Sequence, residues 1–206
     1  IVQAVGGAAF SIGQVAGGDG GDLITLQTGT YSAIGCGAGL DTIGFSGAVT
    51  LATGASIGLG AGNDIISGAA NDLVTTTGAG IFGGGGNDTI TIDALAGTGS
   101  FINGDSTVNG GGADVIAVTD QQAATIIRGK GGADTISIVG VSQSALVAGN
   151  AGGDVISVQD FSDNAAIQGG QGGDSLSVRN SMNGVSGDVI GCGGADTITF
   201  GTGGVA

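Results

Sequence analysis

Apolar and polar residues alternate in short runs along this chain, and the runs recur. In Thr135-Ile136-Ser137-Ile138 the two Ile side chains lie on one side of an extended strand, with Thr135 and Ser137 on the other. A run of this kind follows an Asp nine times, in phrases such as GGDGGDLITL, GGGGNDTITI, GKGGADTISI and GCGGADTITF. A second, weaker apolar position stands about seven residues before most of these Asp residues: Val15, Ile34, Ile57, Ile81, Ile127, Val147, Ile167 and Val189. Two places before it the residue is usually small (Ala55, Ala79, Ala145, Ala165), with Thr125 in one repeat. The pattern predicts a turn, a strand, a second turn and a second strand in each repeat. The copy at Asp114 lacks a clear second strand. The 26-residue interval before it points to an insertion, DALAGTGSFINGDSTVNG, expected to form a small protrusion.

The repeat is the decisive feature. Its fourth position is Gly and its sixth is Asp in all nine copies; the eighth is Ile eight times and Leu176 once. The Asp column consists of Asp22, Asp41, Asp64, Asp88, Asp114, Asp134, Asp154, Asp174 and Asp196, with separations of 19, 23, 24, 26, 20, 20, 20 and 22. Neither strand of a repeat can bury its apolar face alone. Stacking the repeats about 4.8 Å apart builds ladders of Ile and Val around a thin core. The expectation is an all-β parallel solenoid of about nine coils of about 20 residues, forming one domain over residues 1–206.

Composition sharpens this picture. Gly contributes 49 of 206 residues, Pro, Trp and His are absent, and all 17 acidic residues are Asp. Regular Ile and Val exclude disorder, and the lack of Pro and of a three-residue Gly period excludes collagen. The net charge of −14, opposed only by Arg128, Lys130 and Arg179, argues against nucleic acid and against anionic membrane surfaces. No apolar run approaches the roughly 20 residues of a membrane span. The chain starts at Ile1 without a visible signal peptide, and is expected to be processed or to be the ordered part of something longer.

Stacking would place nine carboxylates in a file. At about 4.8 Å each neighbouring pair repels by roughly 0.9 kcal/mol in water and about 3.5 kcal/mol at an effective dielectric of 20. Three basic residues cannot neutralise such a file, whereas a bound cation can. Oxygen donors from Asp and turn carbonyls, with no His, suit Ca²⁺ better than the strictly octahedral Mg²⁺. About eight ions in the gaps between nine coils would bring the charge near neutral. The alternative is a metal-free turn in which each Asp side chain caps backbone amides.

The phrase resembles the GGxGxD-x-(apolar)-x nonapeptide of the RTX proteins. Gly17 to Thr25, Gly83 to Thr91 and Gly169 to Ser177 match it fully. Other copies carry Cys36, Leu59, Asn109, Lys130, Asn150 or Cys192 in place of the first or second Gly. The resemblance implies a right-handed parallel β-roll, calcium between successive turns at the nine Asp residues, and export from a bacterial cell by a type I route. One departure stands out. In that family both turns of a coil usually carry the motif, whereas here only one edge does, with GAANDLV around Asp72 the sole faint copy elsewhere. Calcium is therefore expected along one edge only.

The implied function is a calcium-stabilised extracellular module of a surface fibre, surface layer or adhesin stalk. Calcium ions are its expected partners, with copies of itself stacked end to end or other surface components beside them, and with no nucleic acid and no membrane insertion. A non-catalytic tail of a secreted enzyme or toxin, and an ice-binding roll, are the alternatives. Thr89, Thr91, Thr135, Thr197 and Thr199 would face outward, but Leu23, Ile65, Val115 and Val155 interrupt their file. Catalysis is not expected, since there is no His or Glu and Tyr31 has no evident partner base. The motif-free turns TDQQAA, VGVSQS, QDFSDN and RNSMNG hold residues expected to be exposed, including Phe161, Asp160, Asp163 and Arg179. Cys36 and Cys192 lie about seven coils, or roughly 34 Å, apart, too far for a disulfide within one solenoid. They are read as free, with a bond between stacked molecules as the other option. Neither end of the chain reads as a polar cap.

Overall fold

The computed structural model describes residues 2–4, 11–68, 73–106, 111–122, 124–162, 164–181 and 187–201. Over these residues the chain is an all-β solenoid whose strands pair in parallel from coil to coil. No helix long and apolar enough to cross a membrane occurs among them.

The strand that follows each Asp forms the first face. Its register runs Ile24↔Ile43, Ile43↔Ile66, Ile66↔Ile90, Ile90↔Ile116, Ile116↔Ile136, Ile136↔Ile156, Ile156↔Leu176 and Leu176↔Ile198. The strand that precedes each motif forms the second face, aligned as Val15↔Ile34, Ile34↔Ile57, Ile57↔Ile81, Ile81↔Ile102, Ile102↔Ile127, Ile127↔Val147, Val147↔Ile167 and Ile167↔Val189. The two faces close on each other, and nearly all of these side chains are buried in a single core. Strand alternation accounts for the inward rows, and β-branched side chains fill them because they pack well on a pleated surface. The small residues Ala55, Ala79, Ala145, Ala165 and Thr125 are buried where the second face begins.

Two expectations are corrected here. The copy at Asp114 does have its second strand, Phe101–Asp105, with Ile102 in the core row. In the neighbouring coil Gly84 pairs with Asp105, so the extra residues follow Asp105, inside the motif turn itself. Of the expected protrusion, residues 107–110 lie outside the described residues, as do Asp72 and Asp163. Phe161 is not exposed but buried. Its strand, Val155–Phe161, runs on past the first face. It turns Phe161 inward at the place held by Val141 one coil earlier and by Gln121 before that. Gln121, buried in this row between Leu95 and Val141, donates from Nε2 to the carbonyl oxygens of Thr125 and Leu146.

The turns on the motif edge demand positive φ at their second and fourth places. At Gly152 φ is +137°, and a Cβ there would collide with the carbonyl oxygen of Gly132. Lys130, Asn150 and Cys192 occupy the second place with φ of 89°, 84° and 82°. Cys36 is buried and Cys192 exposed, both as free thiols. Burial takes Cys36 out of reach of a neighbouring molecule, which removes a Cys36–Cys192 bond between stacked copies.

Ile136→Ala is expected to cost about 2–5 kcal/mol, because stacked coils on both sides hold the cavity open. Thr135→Ala, one residue away on the outer surface, should stay within about 0.5 kcal/mol. Denaturant unfolding of both variants checks the assignment of faces.

Candidate metal centre

The sixth place of each motif sits just before the first-face strand, where consecutive coils are already locked in register. The backbone carbonyl of each Asp accepts from the amide after the next coil's Asp, as in Thr135 N to Asp114 O at 2.8 Å and Val155 N to Asp134 O at 2.8 Å. The Asp amide is bonded by a side chain. Asp22 N donates to Asp41 Oδ1 at 2.7 Å, Asp41 N to Asp64 Oδ1 at 2.8 Å, and Asp64 N to Asp88 Oδ1 at 2.9 Å. The series continues from Asp88 to Asp114, Asp134, Asp154, Asp174 and Asp196, with lengths between 2.8 and 3.0 Å. All nine expected residues are thus brought into one file. Asp41, Asp64, Asp88, Asp114, Asp134, Asp154 and Asp174 are buried, and Asp22 and Asp196 half-buried.

This series means that amide capping is real, and that it uses only half of each carboxylate. The Oδ2 atoms of Asp22, Asp41, Asp64, Asp88, Asp114, Asp134, Asp154 and Asp174 are buried without a hydrogen-bond partner. A buried charged oxygen left unpaired costs several kcal/mol unless it is protonated or meets a cation.

The surroundings of these oxygens distinguish the coils. The first place of the motif, five residues before the Asp, is Gly17, Gly83, Gly129, Gly149, Gly169 or Gly191. A Cβ on Gly17 would stand 2.7 Å from Asp22 Oδ2 and 2.7 Å from the carbonyl oxygen of Cys36 in the next coil. On Gly149 it would collide with Asp154 Oδ2 and lie 2.6 Å from the Gly169 carbonyl oxygen; Gly169 stands in the same relation to Asp174 and Gly191. The missing side chain thus leaves a cradle where an orphaned carboxylate oxygen and a carbonyl oxygen from the next coil converge. In two coils the cradle is filled instead. Cys36 and Leu59 hold the first place, and both side chains are buried. Their motif Asp residues, Asp41 and Asp64, keep the amide bond but face a thiol or an isobutyl group.

Burial dominates the proton affinity of the file. It pushes Asp88 and Asp134 up to about 7, Asp114 to about 8 and Asp154 to about 6, with neighbouring carboxylates adding to the rise and the amide bond opposing it. Asp64 and Asp105 shift in the same direction. Burial, with Asp41, Asp64 and Asp22 behind it, lifts the Cys36 thiol to about 12, so this cysteine stays protonated.

The carboxylate that sequence reasoning missed is Asp105. It is buried, accepts from Gly112 N at 3.1 Å through Oδ1, and leaves Oδ2 unpartnered. One oxygen each from Asp105, Asp114 and Asp134 lie within 4.8 Å of one another. The available signal was Phe101-Ile102-Asn103-Gly104, whose apolar-x-Gly spacing matches Ile127-Arg128-Gly129 and Val147-Ala148-Gly149. A Cβ on Gly104 would collide with Asp114 Oδ2 and lie 2.7 Å from the Gly129 carbonyl oxygen, so Gly104 is the true first place of that copy.

The donor set fits a hard cation: carboxylate and carbonyl oxygens in buried cradles, with no basic side chain hydrogen-bonded to the free Oδ2 atoms among the described residues. Such an ion would be held by the Oδ2 atoms beside Gly17, Gly83, Gly104, Gly129, Gly149 and Gly169, and would supply the positive charge the file lacks. No family model, no curated protein and no solved structure matches this chain.

Raised carboxyl pKa values fix the sign of the pH response without metal. The folded state holds protons that the unfolded chain, at about 3.9, releases. This contribution to stability is full below about pH 4 and is lost as pH rises through the folded values of about 6 to 8. In chelator, the melting temperature should fall between pH 4 and pH 8, as read by circular dichroism.

Proposed function

We propose that this chain is a calcium-stabilised structural module of the RTX type, forming part of an extracellular fibre, surface layer or adhesin stalk. The observation that carries the reading is the file of buried Asp side chains, each with one oxygen on a backbone amide and the other unpartnered. Most of these free oxygens face a Gly cradle. Their charge opposes compaction at neutral pH, and three basic residues in the whole chain cannot offset it. Calcium at millimolar levels outside a cell would fill the cradles and hold coil to coil. Low calcium inside would leave the chain unfolded for export, so that folding is linked to the compartment.

The cradles also refine the stoichiometry. Cys36 and Leu59 put a buried side chain where the other gaps have Gly, which in this reading lowers the load from about eight to about six, at one ion per Gly-lined gap. The role is architectural and assigns no catalysis. Outward residues of the first face run Leu23, Thr42, Ile65, Thr89, Val115, Thr135, Val155, Ser175 and Thr197. Leu23, Ile65, Val115 and Val155 are exposed, and their alternation with hydroxyl residues breaks any continuous Thr file. That favours a structural over an ice-binding role. At the last described coil Ile198 and Phe200 are 40% and 62% exposed, although their rows are buried in the preceding coils. Their partner in this reading is a further coil, from the same chain or from a second copy.

Circular dichroism and sedimentation velocity in chelator and in millimolar calcium test the proposal. Strand signal and compaction that appear with calcium support it, and growth of the sedimentation coefficient with protein concentration assigns the further coil to a second copy. Equal folding in chelator at pH 8 would sink it.

A side-chain test separates capping from metal binding. Asp154→Asn keeps an oxygen for the Asp134 amide and removes the charge. It should weaken calcium-dependent stabilisation, while in chelator the loss of one buried charge should not make the chain less compact. Gly149→Ala, which fills a cradle in the manner of Cys36, should remove one ion from the count by calorimetry.

A further inference from the structure

We infer that the gap around Asp105 is a cation site of a different class from the rest of the file. It is a three-carboxylate centre made by Asp105, Asp114 and Asp134 that takes the first ion. The inference rests on the calcium reading above and adds a rank order to it.

The motif alone cannot build this site. In the other copies the second place of the turn is Gly, Lys130, Asn150 or Cys192, none of which brings a carboxylate. Here the second place is Asp105, paired with Gly84 of the preceding coil, and residues 106–110 follow before the turn resumes at Gly111. The extra length frees the second place from the tight GGxGxD geometry. The φ of Asp105 is not in the positive range found at Gly84 and Lys130. Asp105 is 1% exposed, with its side chain turned into the turn rather than out to water.

Three further facts point to a ligand. The Oδ2 atoms of Asp105, Asp114 and Asp134 are all buried and without hydrogen-bond partners. One carboxylate oxygen from each of the three residues lies within 4.8 Å of the other two, an approach shared by no other trio of carboxylates among the described residues. Carbonyl oxygens flank them: a Cβ on Gly104 would lie 2.7 Å from the Gly129 oxygen, and one on Gly111 would collide with both Asp105 Oδ2 and the Gly131 oxygen. Arg128 and Lys130, on the strand Ile126–Gly131 beside the gap, are not hydrogen-bonded to these Oδ2 atoms.

Three carboxylates and adjacent carbonyls make a harder, more negative cage than the cradles elsewhere, where a single orphaned Oδ2 meets a carbonyl. Cation affinity at oxygen sites is tuned by ligand charge count and rigidity, so this gap fills first. Once filled, it ties the coil of Asp105 and Asp114 to the next coil, that of Asp134.

The test is a terbium titration of the intact chain at pH 7.5, followed by lanthanide luminescence, with calcium competition by calorimetry. Wild type should show one ion bound about tenfold or more tightly than the others, the scale on which ligand charge alters oxygen sites. Asp105→Asn keeps an acceptor for Gly112 N. It should abolish that first phase and leave the later ones in place, while Asp174→Asn should remove a later ion and spare the first. A single-phase isotherm in wild type, or an unchanged first phase in Asp105→Asn, overturns the inference even though calcium binds. Absence of any cation binding to wild type instead defeats the calcium reading on which it stands.

Discussion

Parallel stacking in register places like on like. Every row of a solenoid is one position of the repeat, copied at a spacing set by backbone hydrogen bonds. For Ile and Val this is favourable, since each coil covers the apolar face of the next. For a charged residue it is the worst arrangement available, and this chain places an Asp in one row nine times. The structure shows how one oxygen of each carboxylate from Asp41 onward is accommodated, on the amide of the preceding coil's Asp. It also shows that the other oxygen is not. The backbone bond gives the row its order, and the leftover oxygens give it its chemistry.

The same logic explains the glycines at the first motif place. They are not required there for positive φ, which the turn uses at its second and fourth places. They are required because a side chain would occupy the point at which a carboxylate oxygen and a carbonyl oxygen meet. Cys36 and Leu59 show that the fold tolerates a side chain at that point. The coils carrying them trade a polar cradle for a buried apolar side chain. Those two coils thus lean further toward hydrophobic packing, and the coils with Gly at the first place toward electrostatics.

Much of this was legible in the sequence, because a repeat states its rule many times. The Asp column, the two inward rows, the small residues before the second strand and the single motif-bearing edge all follow from alternation and spacing. Asp105 was hidden because the stretch read as the insertion, DALAGTGSFINGDSTVNG, contains the second strand itself. Phe101–Asp105 carries only one core residue, Ile102, and its distance from Asp114 is far from the usual seven. Phe161 was misplaced for a related reason. A motif-free turn looks solvated by composition, yet the first-face strand runs through it and bends one side chain back into the core. The division of each carboxylate into a bonded and an unbonded oxygen is set by atomic geometry, which residue spacing does not encode.

The hydrogen bonds that join the coils run along the solenoid axis, and this bears on how such a rod would carry load. Tension applied along that axis meets the coils one at a time, so the outermost peels away while those beneath it stay intact. Each released coil of about 20 residues pays out roughly 70 Å of extended chain where it had occupied about 5 Å of length. A rod built this way lengthens in steps under force instead of snapping, and each step can be retaken when the force is relieved.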